Sequence, residues 1–555
     1  MKDLIKTISR PEWRFLVLMT ALLILITGLP FLIGYLAAPA DTVYDGLHAL
    51  SPGDFPVYYS YINQVKAGNF LVKDLFTSEQ QGSGTFNVWW VLVGLFAKIF
   101  NLPAVLAFQL SRLLMIPIFI FIAYLFIAYL LPEKIQRKVC LFFLLFSSGL
   151  GVYAAASPGL LKFEDGSWRY WWPIDLWLTE SNTFNALYQT SHFIASIAIM
   201  LLIFLLMLLA FDKKNISYVL ASGFLSLFYF NFHPYYFPVI FGVLGIYLFI
   251  LFLQAKKILW VQSLYLAIVF LISLPSVFYH FWLIGSDQVI AQRAVQNITN
   301  ISPLIFVAAG YGFLLFGFVL GLFFLIKNKN LSNHFIFLLV WLGVNIFLIY
   351  SPFPFHSRYT QGLQVIFVIF TVVGLFGAKD FLAKRLEAGT FNFWVNNPFL
   401  LFIIFVILFL PSVFFSVFRD YYYFILKPGQ TKVQLYLPKD FFKAAAWLKN
   451  QSGSRIVLAA EIPSMFIPAF GLSPVYVAHG HETLFYYAKR TEVIWFFADN
   501  KNDEAKAKFL KKQGIDYIFY SDYEKELGDF NPATKSYLKL VFNSPQAQIL
   551  EVVKD

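Results

Sequence analysis

Carboxylates, histidines and arginines that could do chemistry lie in the polar connections of this sequence and at the ends of its apolar runs. Asp54 stands in Ser-Pro-Gly-Asp-Phe-Pro, a turn before an amphipathic aromatic segment that could hold the carboxylate against a bilayer surface. Arg112 lies about 12 Å inside an apolar run, where a charge is costly unless it meets an anion or water. Snorkelling of its long side chain is the alternative. Arg358 has no basic neighbour, and its planar guanidinium suits a phosphate group.

The other candidate residues lie in the same connection as Asp54, in the case of Glu79, or in and next to further polar connections on the same side of the apolar runs. They are Glu79, Asp175, Glu180, His192 and His233. His233 precedes Pro234, and capping the end of a helix is the alternative role for it. The Trp and Tyr residues around 168–177 either line a binding site or form an ordinary interfacial belt. Because polar groups of several separate connections gather on one side, we expect one shared cleft there.

The composition indicates a membrane protein. Of 555 residues, 59% are apolar and 13% are charged, about half of the ~25% charged residues usual in soluble domains. One water-soluble core could not bury that much apolar surface, so the soluble, fibrous, disulfide-framework and disordered classes are excluded. The sequence has no stripe of basic residues of the kind that nucleic-acid binding needs. The single cysteine, Cys140, excludes an internal disulfide and argues against a structural zinc site.

Eleven apolar runs are predicted to span the membrane, and the charge of the loops between them alternates. The runs are 15–37, 105–131, 139–157, 190–211, 216–232, 235–253, 258–284, 303–326, 335–350, 361–378 and 398–418. Sixteen Lys and Arg residues lie in one set of connections and six in the other. The positive-inside rule therefore predicts a cytoplasmic N-terminus and an external C-terminus. The apolar segment 86–100 is short, about 22 Å as a helix, and we expect a re-entrant or interfacial helix there.

Charge density divides the chain into two predicted parts. Residues 1–419 form a membrane body whose first outer loop, residues 38–85 (the first loop), is acidic, and residues 420–555 (the tail) form a small α/β domain outside the membrane. The predicted elements of the tail are helices at 441–449 and 502–513, strands at 455–460 and 515–520, and a hairpin of 538–542 with 548–553. His479-Gly-His481-Glu482 could be a metal-binding corner, but two histidines two residues apart without a third ligand are typical of a loop.

Several motifs resemble bacterial membrane glycosyltransferases of the GT-C type. They are the first loop with Asp54, the segment from Gly68 to Glu79, Leu-Ser-Arg112, Asp175-Leu-Trp-Leu-Thr-Glu180, His233-Pro and His-Ser-Arg358-Tyr-Thr-Gln-Gly. Protein O-mannosyltransferases and aminoarabinose transferases share the general plan: a polytopic helical body, an acidic first outer loop and a sugar donor carried on a polyprenyl phosphate. The resemblance implies a GT-C-like fold with about 11–13 membrane helices, together with a small α/β domain.

The resemblance also implies roles for the candidate residues. An aspartate of the first outer loop acts at the acceptor in these relatives, and Asp54 would take the proton of the attacking hydroxyl group. Glu79 and Asp175 are the next catalytic candidates. The substrate-binding candidates are Arg112, Glu180, His192, His233 and Arg358, whose Arg and His donors would stabilise the charge of the leaving phosphate. Single displacement would invert the anomeric centre. A divalent metal is possible, held by Asp54, Glu79, Asp175 and Glu180, although no spacing requires one.

The implied partners are a polyprenyl-phosphate-linked sugar donor, the lipid bilayer and a glycan, lipid or protein acceptor. The implied location is the plasma membrane, with the external domain covering the cleft and helping to select the acceptor. The alternative is a non-enzymatic membrane protein, for example a transporter or a lipid-carrier flippase. Such a protein is expected to place ionisable residues near the middle of the membrane on several spans. Here these residues gather at outer ends, which favours the transferase.

Overall fold

The computed structural model describes residues 1–49, 52–82, 84–155, 172–426, 435–451 and 453–553. The aromatic stretch at 168–171, with Arg169, lies outside the described residues. The helices before the tail are Lys2–Lys6, Arg10–Leu36, Phe55–Lys66, Val88–Ile99, Ala104–Leu130, Lys134–Phe146, Gly151–Ala155, Thr183–Gln189, Ser191–Lys213, Ile216–Phe232, Phe237–Ala255, Trp260–Ser286, Gln288–Gln296, Leu304–Tyr311, Phe313–Lys327, Asn333–Ile349, Leu363–Ala383, Ala388–Trp394, Pro398–Phe409 and Pro411–Tyr421.

The described residues contain seven helices that are long and apolar enough to cross a membrane. Two pairs of helices are also long and apolar enough when each bent pair is counted as one span. With them, the described residues contain up to nine candidate membrane spans. With the shorter apolar helices Ile216–Phe232 and Asn333–Ile349, each of the eleven predicted runs has its helical segment. The prediction of a polytopic helical membrane protein is confirmed.

Two of the predicted spans are bent rather than continuous. Leu304–Tyr311 meets Phe313–Lys327 at 77°, and a second pair bends by 64° next to Pro411. Gly312 makes the first bend with φ 52° and ψ −126°, a conformation that residues with a β-carbon rarely adopt. Pro411 opens the helix after the second bend, where its ring removes a backbone N–H and disfavours continuation of the preceding helix. Both runs are uniformly apolar, so hydropathy alone predicts neither bend.

The chain separates into two compact units, which are described one at a time. The first unit comprises residues 1–30, 111–278 and 299–420, and the second comprises residues 31–110, 279–298 and 421–555. The second unit therefore contains the first loop as well as the tail. The predicted boundary between residues 419 and 420 stays a prediction.

In the first unit, Phe313–Lys327 and Leu363–Ala383 pack with their backbones in contact. A β-carbon at Gly321 would lie 2.0 Å from the carbonyl oxygen of Phe370, and one at Gly374 would lie 2.7 Å from the nitrogen of Gly321. Small residues at such points let membrane helices approach each other closely. These glycines therefore fix the distance between the two helices.

The second unit contains the strands. Thr42–Tyr44 of the first loop pairs antiparallel with Tyr436–Pro438. A four-stranded sheet follows in the order Ile456–Leu458, Ile515–Ser521, Ala547–Val552 and Leu538–Asn543, whose first pair is parallel and whose other pairs are antiparallel. The helices of the tail are Lys439–Lys449, Glu461–Phe470, Tyr486–Ala498, Asp503–Lys512 and Asp522–Lys525. Each helix and strand predicted for the tail is present, which confirms its small α/β architecture.

The short apolar segment predicted at 86–100 is the helix Val88–Ile99, which also belongs to the second unit. Twelve residues make about 18 Å of helix, less than the ~30 Å of a hydrocarbon core. It packs on Phe55–Lys66 so closely that a β-carbon at Gly94 would lie 2.4 Å from Cβ of Val65. This contact positions the helix that follows Asp54.

Candidate functional site

Asp54 lies where a short 3₁₀ turn, Pro52–Asp54, passes into the helix Phe55–Lys66. Pro56 suits the first turn of a helix, because that turn has no use for its missing N–H. The Asp54 side chain is half exposed, and its Oδ1 lies 3.3 Å from Nε2 of His479. The chain thus presents a carboxylate that is reachable from solvent and oriented from one side by a buried histidine.

His479 belongs to a tight turn of the tail, residues 478–484, called here the tail turn. Its Nδ1 accepts hydrogen bonds from the backbone N–H groups of His481 and Glu482, at 3.2 and 3.3 Å. Burial acts to lower the pKa of His479, but the hydrogen bond and charge of Asp54, with the nearby acidic groups Glu482 and Asp74, outweigh it and raise the pKa. His479 was predicted to be a loop residue; the sequence contains the His-Gly-His-Glu motif but no sign of its partner.

Glu79, the second carboxylate predicted in the first loop, is held by a buried lysine. Lys489 Nζ lies 2.6 Å from Glu79 Oε1, and the Thr77 hydroxyl donates to the same carboxylate. Burial lowers the pKa of Lys489 although Glu79 acts to raise it. Because these contacts engage the Glu79 carboxylate, the geometry favours Asp54 over Glu79 as a proton acceptor.

A partly buried charge cluster that the sequence did not predict joins three segments of the second unit. Arg293 NH1 lies 2.8 Å from Glu482 Oε2 and 3.5 Å from Asp74 Oδ2, and it donates to the Tyr61 hydroxyl at 3.4 Å. Burial and the neighbouring Glu482 raise the pKa of Asp74 to about 7, against the lowering effect of Arg293. A cavity of about 50 Å³ adjoins Asp74, Tyr61 and Arg293. The cluster stabilises the tail turn against the first loop.

Four of the predicted substrate-binding residues come together in the first unit. Arg358 pairs with Glu180, whose side chain is only 2% exposed. The imidazole rings of His192 and His233 lie 5.4 Å apart, and the guanidinium of Arg358 lies 5.5 Å from the ring of Phe193. Phe193 also contacts both histidine rings. We call Glu180, His192, His233 and Arg358 the arginine cluster.

The arginine cluster contains a buried ring nitrogen, on His233, that is unsatisfied among the described residues. Nδ1 of His233 is buried, and no hydrogen-bond partner for it occurs among the described residues. Buried polar atoms are normally satisfied, so such an atom marks a position for water or a ligand. Tyr236, just after His233, places its hydroxyl 3.0 Å from the carbonyl oxygen of Arg358 and 3.0 Å from Gln361 Oε1. The backbone that carries Arg358 is therefore fixed by the same turn that carries His233.

Arg112 is fully buried and bonds to backbone carbonyls. Its NH1 donates to the carbonyl of Leu187 and its NH2 to that of Thr27, each at 2.9 Å. These bonds link three helices of the first unit, so packing and bonding account for the position of this charge without snorkelling. A role of Arg112 in donor binding stays a prediction.

Asp175 is buried in the 3₁₀ turn Ile174–Leu176. Its Oδ2 accepts from the backbone N–H groups of Gly149 and Gly151 at 3.0 and 3.2 Å. Burial raises the pKa of Asp175 to about 7, although these hydrogen bonds act to lower it. The contacts favour a role in fixing the chain after Lys134–Phe146 over a role as a catalytic base, which stays a prediction.

The described residues do not assemble a metal site. Nowhere in them do three or more His, Cys, Asp or Glu side chains group as metal ligands. Of the four carboxylates proposed for a divalent metal, Asp54, Glu79 and Glu180 have basic protein partners and Asp175 accepts from backbone amides. These residues do not fit a bound metal, and no step of the reaction is derived through one.

Comparison with solved structures identifies the fold. The oligosaccharyltransferase of Archaeoglobus fulgidus in its apo form aligns with a TM-score of 0.56 and 12% identity over 92% of this chain and 69% of that chain. The same enzyme in complex with Zn and sulfate gives 0.55 and 13%, over 91% and 68%. The mycobacterial arabinofuranosyltransferase AftD gives 0.51 and 10%, over 96% of this chain and 40% of that chain.

This chain therefore has the GT-C fold of membrane glycosyltransferases, as its motifs predicted. No protein-family model matches the chain, and no curated protein matches it. At 10–13% identity the likeness is one of fold. A fold does not determine an activity, which depends on the residues of the site.

Proposed function

We propose that this chain is a glycosyltransferase that moves a sugar from a polyprenyl-phosphate-linked donor to an acceptor hydroxyl group at the outer face of the plasma membrane. The observation that carries the proposal is the Asp54 carboxylate, which is half exposed at the start of a helix and hydrogen-bonded to His479. A positioned carboxylate of this kind can accept the proton of a hydroxyl group as that group attacks an anomeric carbon. The GT-C fold is consistent with this chemistry.

In the proposed reaction the acceptor oxygen forms a bond to the anomeric carbon while the bond from that carbon to the phosphate oxygen breaks. Asp54 takes the acceptor proton, and the polyprenyl phosphate leaves with the electron pair. A phosphate is a good leaving group, so no general acid is required. A single displacement of this kind inverts the anomeric centre.

The arginine cluster is the proposed phosphate site. The guanidinium of Arg358 has five N–H donors, and its NH1 group contacts Glu180. His233 supplies a buried Nδ1 that has no hydrogen-bond partner among the described residues. A fixed cation in a poorly hydrated site stabilises the charge that develops on a leaving phosphate. Glu180 would orient Arg358 rather than touch the donor.

The proposed orientation follows from the loop charges and places the N-terminus in the cytoplasm and the tail outside. Apart from Lys98 in the short apolar segment 86–100 and Arg419 after the last run, the connections before the tail hold 22 basic residues, of which 16 lie on the side assigned to the cytoplasm. In this orientation the first loop lies outside, where a lipid-linked sugar and an external glycan, lipid or protein acceptor would meet.

Substitution of Asp54 by Asn tests the proposal. Asn keeps the shape of the side chain and removes the proton acceptor, so transfer from a radiolabelled polyprenyl-phosphate sugar should fall by about 10²–10⁴-fold. Binding of the donor should stay unchanged. A panel of such donors, offered to the purified protein in detergent, identifies the sugar first.

The matched control is Asp41→Asn in the same loop. The Asp41 side chain is 85% exposed, and its backbone φ of 60° suits Asn. This variant should transfer sugar at the wild-type rate. Wild-type turnover by Asp54→Asn would place the base elsewhere, and the absence of transfer from every donor in the panel would refute the proposed function.

A further inference from the structure

The Asp54–His479 contact joins two segments that lie far apart in the sequence. Resting on the proposed function, we propose that His479 is a positioning residue that orients the Asp54 carboxylate toward the acceptor hydroxyl group. The geometry that carries this inference is the 3.3 Å contact of Nε2 with Asp54 Oδ1, together with the two backbone amides that face Nδ1.

The two amides determine which ring nitrogen carries the proton. An N–H group donates, so Nδ1 must act as an acceptor toward His481 and Glu482. In a neutral imidazole one nitrogen accepts and the other donates. The Nε2 atom is therefore the N–H donor, and it faces Asp54. The same logic holds for histidines whose second nitrogen is fixed by a backbone contact.

The ring itself is held in place. It is 8% exposed, and a β-carbon at Gly53 would lie 3.6 Å from Nε2, so the ring packs against the backbone just before Asp54. On its other side the ring of Phe76 makes an edge contact at 6.5 Å. A buried ring with both nitrogens engaged has little freedom to rotate, so its N–H direction is fixed before any acceptor arrives.

Further hydrogen bonds connect the tail turn to the first loop. The Thr483 hydroxyl donates to the carbonyl of Phe76 and accepts from the N–H of Ala478, and the N–H of Leu484 donates to the Thr77 hydroxyl. Gln296 adds two bonds, to the carbonyls of His481 and Thr483 at 3.1 and 2.9 Å. The turn that carries His479 is thus anchored from two directions, which a positioning role requires.

Three acidic groups face His479. They are Asp54, Glu482 and Asp74, and Arg293 lies between the last two. Of these three groups, Asp54 is the one that meets the imidazole N–H directly. The other two sit beside Arg293 and affect the ring through their charge.

Kinetics of two variants and a control test the role in catalysis. His479→Ala removes the donor and should lower kcat by about 10–10²-fold, with the KM for the donor unchanged, because a misplaced reacting group affects the chemical step. His479→Gln supplies an N–H donor at the Nε2 position and should retain most of the rate. His481→Ala, two residues away, should behave as wild type. Equal losses in the Ala and Gln variants would overturn the proposal, as would wild-type kcat in His479→Ala.

A second readout does not depend on activity. The chain has eight histidines, so a ¹⁵N-histidine-labelled sample in detergent gives few signals, and His479 is assigned by its loss in His479→Gln. At mildly alkaline pH, where the ring is neutral, Nε2 should carry the proton and Nδ1 should not. A proton on Nδ1 would overturn the inference. The expected tautomer in a protein that transfers no sugar would refute the proposed function while leaving the His479–Asp54 geometry intact.

Discussion

Removing Arg358 alone should lower both the stability of the protein and its affinity for the donor. A double substitution can separate these two effects. The Glu180 side chain is 2% exposed and the Arg358 side chain 26%. Breaking a buried ion pair by removing one partner costs about 3–5 kcal/mol, because a charge is left buried without compensation. Since Arg358 is partly exposed, we expect Arg358→Ala to lose about 3 kcal/mol of unfolding free energy. Its loss of donor binding is then difficult to distinguish from damage to the fold.

The double variant Glu180→Gln with Arg358→Met removes both charges and keeps the volume. Replacement of a buried pair by neutral residues is often close to neutral for stability. A charged hydrogen bond to phosphate contributes about 1.5–3 kcal/mol, so donor affinity should still fall by about 10- to 100-fold. Arg358→Lys keeps the charge without the planar fork and should weaken binding less than Arg358→Ala.

Displacement of a labelled polyprenyl phosphate measures affinity, and thermal unfolding in detergent measures stability. The control is Glu461→Gln with Arg490→Met, a pair in which both side chains are about half exposed. Exposed pairs contribute about 0–1 kcal/mol, so this control should change neither quantity. Wild-type affinity in the stable double variant of the arginine cluster would refute the phosphate site.

Three further outcomes are expected. A lysine at position 112 lacks the planar guanidinium that reaches both backbone carbonyls. Arg112→Lys should therefore lower the unfolding temperature without changing kcat. An unchanged unfolding temperature would contradict the hydrogen bonds described for Arg112. Burial raises the pKa of Asp74 to about 7, above its unfolded value. The folded state therefore binds more protons between about pH 4 and 7, and stability should fall as pH rises through that window by at most about 1.4 kcal/mol per pH unit. Asp74→Asn should flatten the thermal-unfolding profile there, and an unaltered slope would contradict this origin. Reporter fusions at Lys214 and Asp555 should report opposite sides of the membrane, and a common side would refute the proposed orientation.

The spans and the elements of the tail could be predicted because their signals are local. Apolar runs and alternating polarity depend on neighbours in the sequence, and the structure has a helical segment for each run. The sequence predicted that Glu180, His192, His233 and Arg358 lie on one side of the apolar runs, and in the structure Arg358 pairs with Glu180 while His192 and His233 are in ring contact. The depth of these residues relative to a membrane stays a prediction.

The partners of the candidate residues could not be predicted, because they depend on contacts between distant segments. Asp54 was singled out from its turn, but no local pattern indicates that His479 meets it. No motif in the sequence singles out Arg293, yet it joins Asp74 and Glu482. The sequence predicted that the charge of Arg112 needs an anion or water. In the structure, its guanidinium donates hydrogen bonds to backbone carbonyls. Burial and pairing, which decide chemical roles, are properties of the tertiary structure.

The contact between the tail turn and the first loop has a consequence for biosynthesis. The bonds from Thr483 and Leu484 reach residues 407 positions earlier in the chain. At about 5–20 residues per second, the ribosome needs roughly 20–80 s to make the intervening segment. During that interval the loop that carries Asp54 has been translated but lacks His479, Lys489 and Glu482. If the proposed function holds, a nascent or truncated chain would therefore insert its helices without an oriented base, and transfer would begin only after the tail turn has been made.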